Sequence, residues 1–465
     1  MAIDHFIPDR LMSDRDFRFG FGFSRYTPLP LGRSGNRLPA PAIHALVDVQ
    51  EAHTRRLVGL RLLPFLFVLY VVNYIDRTNL AYAAVGMTRT LGFSDRVFGF
   101  GAGIFFISYL ALQIPGARMV ARFGARRVIS GCMIAWGSLT VLTALVHTPM
   151  QLYAVRFVLG AAEASFFPGV IVYLSYWFIQ EDRAKATSNF MSAIPLSSTL
   201  GSPLAGWILG RMWLGVDGWR WLFVVEGLPA VVLGAVAYFF LSDRPPDATW
   251  LDAAQRDWLL GKLEEENPAR TAKASLSDAL RSPIVRLLAG VALFAYIAQY
   301  TFVFWFPLMF KRLSGMSDLH VGVWGAVPFF WSFLLMQING WHSDRMAERR
   351  WHCAVPLLVA AGGFLLLTTR PQTMPVLLAF FVMAATATVY LPVSWAIPSE
   401  LLSPTIVATA VGLINALGSA SGFAGPYAFG YLQTVTRSFN AGLILTGVCC
   451  MAAAFLILRV PKCPE

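Results

Sequence analysis

Apolar runs recur along the chain at roughly 62–84, 97–119, 127–146, 150–177, 186–210, 218–241, 284–310, 318–340, 353–369, 374–398, 405–431 and 439–460. A helix needs about 20 mostly apolar residues to cross the hydrocarbon core, and each run comes near that length. The pattern predicts an all-α polytopic membrane protein with twelve transmembrane helices. One long polar connection, 242–283, divides them into two six-helix halves, 57–241 and 284–465. Within it, Trp250, Leu251, Trp258, Leu259 and Leu263 are spaced as one stripe of a short surface helix. Residues 1–56 are read as an N-terminal cytoplasmic, disordered segment; the first forty contain no apolar core of the roughly 7 to 15 residues that a cleavable signal requires. The competing reading is a true start downstream, near VDVQEAHTRR.

Composition agrees with the pattern. Of 465 residues, 56% are hydrophobic and only 14% charged, against about 25% charged in a soluble protein. Mean hydropathy is +0.58. The formal net charge of +11 does not indicate nucleic acid, because the basic residues fall in the short connections between apolar runs. Their bias instead reports orientation. With the amino terminus inside, Arg118, Arg122, Arg126, Arg127, Arg183, Lys185, Arg345, Arg349 and Arg350 face the cytoplasm together with the central connection. The expectation is a multi-pass protein of the inner (plasma) membrane with both termini cytoplasmic. Five cysteines, none in a CxxC spacing, suggest neither a disulfide framework nor a metal site, and no cofactor is expected.

The halves repeat one another. ARMVARFGARR (117–127) follows the second span and GWHSDRMAERR (340–350) the eighth, each with one arginine followed four and five residues later by an Arg-Arg pair. Arg122 and Arg345 are 223 residues apart, while Pro168 and Pro392, and Gly206-Trp207 and Gly430-Tyr431, are 224 apart. A cleft between two such repeats is where a solute would bind near the bilayer midplane.

This plan resembles the major facilitator superfamily, whose signature loop is G-x-x-x-D-R-x-G-R-R. The second copy keeps Gly340, Asp344 and Arg345; the first has Ala117 and Ala121 where glycine and aspartate are usual. That departure bears on whether the loop's charge relay survives in the first half. The resemblance implies that Arg122, Arg126, Arg127, Gly340, Asp344 and Arg345 belong to gating loops. NYIDRTNLAYAA (73–84), RFVLGAAEASFFPGVIVYLSYWF (156–178), GWRWLFVVEGLPAV (218–231) and DRPPDATWL (243–251) are more specific. Together they resemble the anion:cation symporter family, which includes galactonate, tartrate, phthalate and hydroxyphenylacetate permeases. The resemblance implies a secondary transporter, not an enzyme, that imports a small organic anion with protons and acts as a monomer. It also implies Asp76, Arg77, Arg156 and Glu163 as working charges.

Residue chemistry supports the same four. An ionised side chain at bilayer depth costs about 2.5 to 3.5 kcal/mol, so it must be paired, face water or do work. Arg156 and Glu163 are seven residues apart, two helical turns or about 10.5 Å, on nearly the same face. Each would therefore meet something from another helix, and the first span is the obvious supplier. Asp76 and Arg77 differ by about 100° around their helix, so one can meet the solute while the other meets the bundle. Arginine suits a carboxylate because its planar fork never loses charge. Arg77 and Arg156 are the candidate substrate-binding cations, and Asp76 and Glu163 the candidate proton-coupling acids. Static ion pairing is the competing reading. Glu226, beside Gly227 and Pro229, reads as a packing or gating residue.

Other signals are weaker. Tyr74 lies one turn before Arg77; by the resemblance, Tyr109 matches a cavity tyrosine and Asn415 a substrate-contacting asparagine, with helix packing as the alternative for each. Gln299 and Tyr300 could close the cavity from the second half, and Trp305, Tyr390 and Trp395 could shape it. The GFGAG at 99–103 and the GxxxG spacings Gly206/Gly210 and Gly418/Gly422 read as close helix approach. A proton-driven drug or metabolite exporter of the same fold remains open, since GSPLAG (201–206) partly matches the exporters' fifth-span motif. So does an anion sensor that does not transport.

Overall fold

Proline and glycine punctuate the long apolar runs; two of the prolines follow helix breaks, and several close helix contacts fall at glycines. A computed structural model describes residues 40–266 and 276–462. The expected disordered leader and Cys463 fall mainly or wholly outside that range, and the compact unit runs from Gln50. In chain order the helices are α1 (Ala40–Thr90), α2 (Asp95–Phe123), α3 (Ala125–Thr143), α4 (Pro149–Glu163), α5 (Phe166–Trp177), α6 (Gln180–Met191), α7 (Ala193–Leu209) and α8 (Gly218–Phe240). Then follow α9 (Ala253–Glu265), α10 (Leu276–Arg281), α11 (Pro283–Ser314), α12 (Asp318–Met346), α13 (Arg350–Leu367), α14 (Met374–Ala385), α15 (Leu391–Leu401), α16 (Pro404–Thr436) and α17 (Asn440–Leu458). A two-stranded hairpin, β1 (Met212–Trp213) with β2 (Val216–Asp217), precedes α8.

All twelve expected spans are helical within the described residues. Nine helices there are long and apolar enough to cross a membrane by length and composition. The other three expected spans are occupied by α3, α6–α7 and α16. α3 opens on an Arg-Arg pair, and α7 is only 17 residues long. The first helix starts earlier than the apolar run: residues 50–56 are helical, and Arg55 makes a two-pronged bond to Asp182 at 2.7 and 2.8 Å.

Two spans are broken in the same way. A proline ring clashes with the carbonyl four residues back and leaves that carbonyl without a donor. Pro168 aims this clash at Ala164, where α4 gives way to α5, and Pro392 aims it at Thr388, between α14 and α15. The 224-residue offset therefore repeats a helix break, and Glu163 is the last residue before the first one. In the central connection, Leu251 and Leu259 are buried and Trp250, Trp258 and Leu263 pack on the same cluster. The helix itself starts at Ala253, capped by Asp252, so Trp250 and Leu251 precede it. Trp250 stacks on Trp177 at 5.3 Å.

One end of the bundle is closed. There α7 meets α12 so tightly that a Cβ on Gly206 would lie 2.6 Å from the Gly322 Cα, and Ser202 Oγ donates to the Gly322 carbonyl at 2.7 Å. A Cβ on Gly99 of α2 would likewise lie 2.6 Å from the Pro426 carbonyl oxygen of α16. Only glycine permits such backbone approach. At the same end Arg312 grips Asp95 with two bonds, of 2.6 and 2.7 Å. The reading of GFGAG as packing therefore holds. The GxxxG spacings divide: Gly206 faces Gly322, Gly418 and Gly422 face the rings of Tyr296 and Phe106, and Gly210 approaches no other helix.

Candidate functional site

Four buried charges gather where α1, α2, α3 and α4 meet. Asp76 is 2% exposed, Arg77 7%, and Arg156 and Glu163 1% each. Arg77 reaches from α1 to α4, where its Nε donates to Glu163 Oε1 at 2.9 Å and its Nη2 donates to the same oxygen. The first span supplies the partner of Glu163, and the break at Ala164 leaves that carboxyl at a helix terminus rather than against a continuing wall.

Asp76 points away from Arg77, as the 100° between neighbouring helical positions requires. Its Oδ1 accepts from Asn79 Nδ2 at 2.8 Å and its Oδ2 from Thr140 Oγ1 at 2.7 Å. These two uncharged donors hold Asp76 without an arginine hydrogen bond. Neither Asn79 nor Thr140 was singled out from sequence; the i to i+3 spacing of Asp76 and Asn79 was visible, but the contact to Thr140 crosses between helices.

Arg156 is the least satisfied of the four. Its Nε donates to the Gly101 carbonyl at a long 3.4 Å, and its buried Nη2 has no hydrogen-bond partner. Phe105 of α2 lies between the two arginines, with its ring centre 4.9 Å from the Arg156 Cζ and 5.6 Å from the Arg77 Cζ. An aromatic face stabilises a guanidinium without neutralising it. Phe105 also stacks on Tyr109 at 5.6 Å, one helical turn on. That spacing to Tyr109 is the signal that could have found it.

The tyrosines divide by distance. Tyr109 and Tyr74 lie 5.1 and 6.0 Å from the Arg77 Cζ, and both are buried. From the second half, Tyr300 meets Phe106 of α2 at 4.6 Å, and Gln299 is buried with its Oε1 unpartnered. Asn415 lies half-buried on α16, and its carbonyl accepts from Ser419. Among the described residues, it makes no hydrogen bond to the charged group. Tyr390 packs on Tyr296 at 6.5 Å, and the buried Trp395 Nε1 is unpartnered. Trp305 belongs elsewhere: it packs edge-on to Phe98 and donates to the Pro426 carbonyl, which places it in the closed seam and not in the site.

The two basic loops have diverged. In the second, Arg349 bonds Asp344, Ser343 and Glu400 of α15, the last at 2.9 Å. Burial works against the Arg349 guanidinium, but its bonds to Glu400 and Asp344 outweigh it and raise its pKa. Arg345 lies over Trp341, and a Cβ on Gly340 would meet nothing within 4 Å. The 224-residue offset matches Glu400 to Tyr176, so the first loop has no such acid. There Asp243 caps α3 by accepting from the Arg126 amide at 2.8 Å, while Arg126 lies over Tyr238 and Arg244 over Tyr176. Arg122 lies over Phe123, and Arg127 is exposed.

Residues 66–426 match the Major Facilitator Superfamily. A protein of Agrobacterium vitis called a putative tartrate transporter is 38% identical over 89% of this chain and 92% of its own. A quinolone resistance transporter of Acinetobacter baumannii is 32% identical over 86% of this chain and 92% of its own. The crystal structure of a bacterial homolog of the human lysosomal transporter Spinster, inward-facing and unoccupied, superposes with a TM-score of 0.69 at 19% identity, covering 88% of this chain and 95% of that one. With a superfamily match over most of its length, relatives named as transporters and the same fold, this chain belongs to the Major Facilitator Superfamily as a multi-pass membrane transporter.

Proposed function

We propose that the protein imports a small organic acid, such as tartrate or a related hydroxy or sugar acid, together with protons by alternating access. The observation that carries this reading is Arg156, a fully buried cation whose Nη2 lacks a partner beside an Arg77–Glu163 ion pair. A carboxylate entering the site takes the unpartnered edge of Arg156. Protonation of Glu163 removes the ionic share of its bond to Arg77 and releases that guanidinium to a second carboxylate or a hydroxyl of the solute. Loss of the proton re-forms the pair and displaces the solute. Proton and anion thus compete for one arginine, which couples their movements. Asp76, on α1 beside Arg77, is a second candidate acid, while Tyr74, Tyr109 and Asn415 provide polar contacts to the solute. The relative named a putative tartrate transporter supports the choice of acid.

The same reading takes both termini as cytoplasmic, in the inner (plasma) membrane, and the monomer as the working unit. It takes 57–241 and 284–465 as the moving halves joined by 242–283. Arg122, Arg126, Arg127, Gly340, Asp344 and Arg345 then lie in loops that shift as the halves rock.

Export of an aromatic drug is the second reading, favoured by the relative named a quinolone resistance transporter. Proteoliposomes separate the two. Under an inward proton gradient the purified protein should concentrate labelled L-tartrate, and a protonophore should abolish the accumulation. Equal uptake with the proton gradient clamped at zero would remove proton coupling. Expulsion of a fluoroquinolone with no tartrate movement would replace import by export, and tartrate binding with no flux would leave a sensor.

A further inference from the structure

Glu226 is a buried acid that the cycle above does not use. It sits on α8, 4% exposed, and its Oε2 has no hydrogen-bond partner. The next residue, Gly227, lies at the crossing of α8 and α3, where a Cβ on Gly137 would be 2.8 Å from the Gly227 carbonyl oxygen. A Cβ on Gly227 would be 3.1 Å from the Cβ of Thr140, whose hydroxyl donates to Asp76. Thr140 therefore touches the α8 backbone beside Glu226 and one carboxyl oxygen of Asp76. On the α1 side, Tyr82 is 5% exposed and its hydroxyl is also unpartnered. Two buried carboxyls that share Thr140 as a neighbour, with no arginine hydrogen-bonded to either, cannot both be ionised cheaply.

We propose that Glu226 is a second proton-carrying carboxyl of this transporter, acting with Asp76 at the α3–α8 crossing. Glu226 takes up one proton from one side of the membrane in each cycle and passes it through Asp76 to the other, so the step balances as one transported proton and needs no further reactant. Glu163 answers to the solute through Arg77, whereas the Asp76 and Glu226 pair answers to the approach of α3 and α8. This gives the carrier a proton-carrying carboxyl, Glu226, outside the four-charge anion site and joined to it through Asp76. The role of Glu226 in uptake rests on the import reading above, but its protonation does not.

Infrared difference spectra of the purified full chain in lipid nanodiscs, titrated with pH, read that protonation without any solute. A protonated-carboxyl C=O band should fade as pH rises in the wild type and in Glu163→Gln, and should be missing from Glu226→Gln. Superimposable spectra of wild type and Glu226→Gln, or a band that does not titrate, would overturn the assignment. In proteoliposomes at zero membrane potential, losing one proton per cycle lowers equilibrium L-tartrate accumulation about tenfold per pH unit of gradient. Glu226→Gln should show that loss, and Glu226→Asp should accumulate like wild type. Unchanged accumulation in Glu226→Gln means the carboxyl does not travel with the cycle and refutes the proposal. So does loss of the folded monomer in both variants, which marks a packing residue. If the wild type accumulates no tartrate, the import reading fails, and the infrared titration alone decides Glu226.

Discussion

The residues of the charged site differ in what they are free to do. Arg77 is committed to Glu163, and Asp76 to Asn79 and Thr140, but Arg156 retains an unused donor in a site without exposure. Truncating one member of a buried charged contact costs about 2 to 5 kcal/mol, so Arg156→Ala should weaken tartrate binding at least about 30-fold in isothermal titration while the protein still elutes as a folded monomer. Lysine should not restore it, because a point charge cannot reproduce a planar fork. Unchanged affinity would return the charge to a static role. Glu163→Gln keeps the shape of the acid and removes its ionisation. It should still exchange labelled for unlabelled tartrate across a vesicle, which needs no net proton movement, yet lose the solute-linked part of its accumulation, about tenfold per pH unit of gradient. Normal accumulation in Glu163→Gln, with exchange-only behaviour in Asp76→Asn, would transfer the coupling to Asp76.

Among the elements, the decisive contacts are backbone approaches at glycines. Because the atom that a Cβ on Gly206 would strike is the Gly322 Cα, no rotamer change can relieve the clash. Gly206→Val should therefore fold, since its helix remains intact, but hold α7 and α12 apart at the closed end. A cysteine introduced at Gln433, beside the Asp95–Arg312 pair, should then react faster with a membrane-impermeant maleimide than in the parent. Cys353, Cys449 and Cys450 are buried, which limits background labelling. Equal labelling rates would show that this seam does not control the end.

For the whole molecule, the Asp95–Arg312 pair joins the two sets of six helices where they close. Arg312 is 35% exposed, so solvent screening reduces the pair to about 1 kcal/mol. Arg312→Ala should thus shift the population toward opening at that end by about fivefold. Spin labels on the connections at 91–94 and 315–317 should report a larger long-distance fraction by electron double resonance. An unchanged distance distribution would leave the glycine seams as the lock.

The sequence by itself determined the class, the number of spans, the repeat and the identity of the four central charges. Each of these is written in one dimension: an apolar run of sufficient length is a helix in lipid because no other unpaired backbone survives there. Pro168 and Pro392 follow the two breaks, but Pro115, Pro229, Pro328 and Pro426 lie inside unbroken helices, so the local clash of a proline does not by itself decide a break. Tertiary structure alone decided which charge meets which. Glu163 pairs with Arg77 across 86 residues of chain, Asp76 is held by Thr140 across 64, and Trp305 leaves the solute region for the seam. It also decided what the second basic loop holds, Arg349 bonding Glu400 of α15. Sequence spacing fixes which helix face a side chain occupies; only the packing of one helix against another fixes what that face touches.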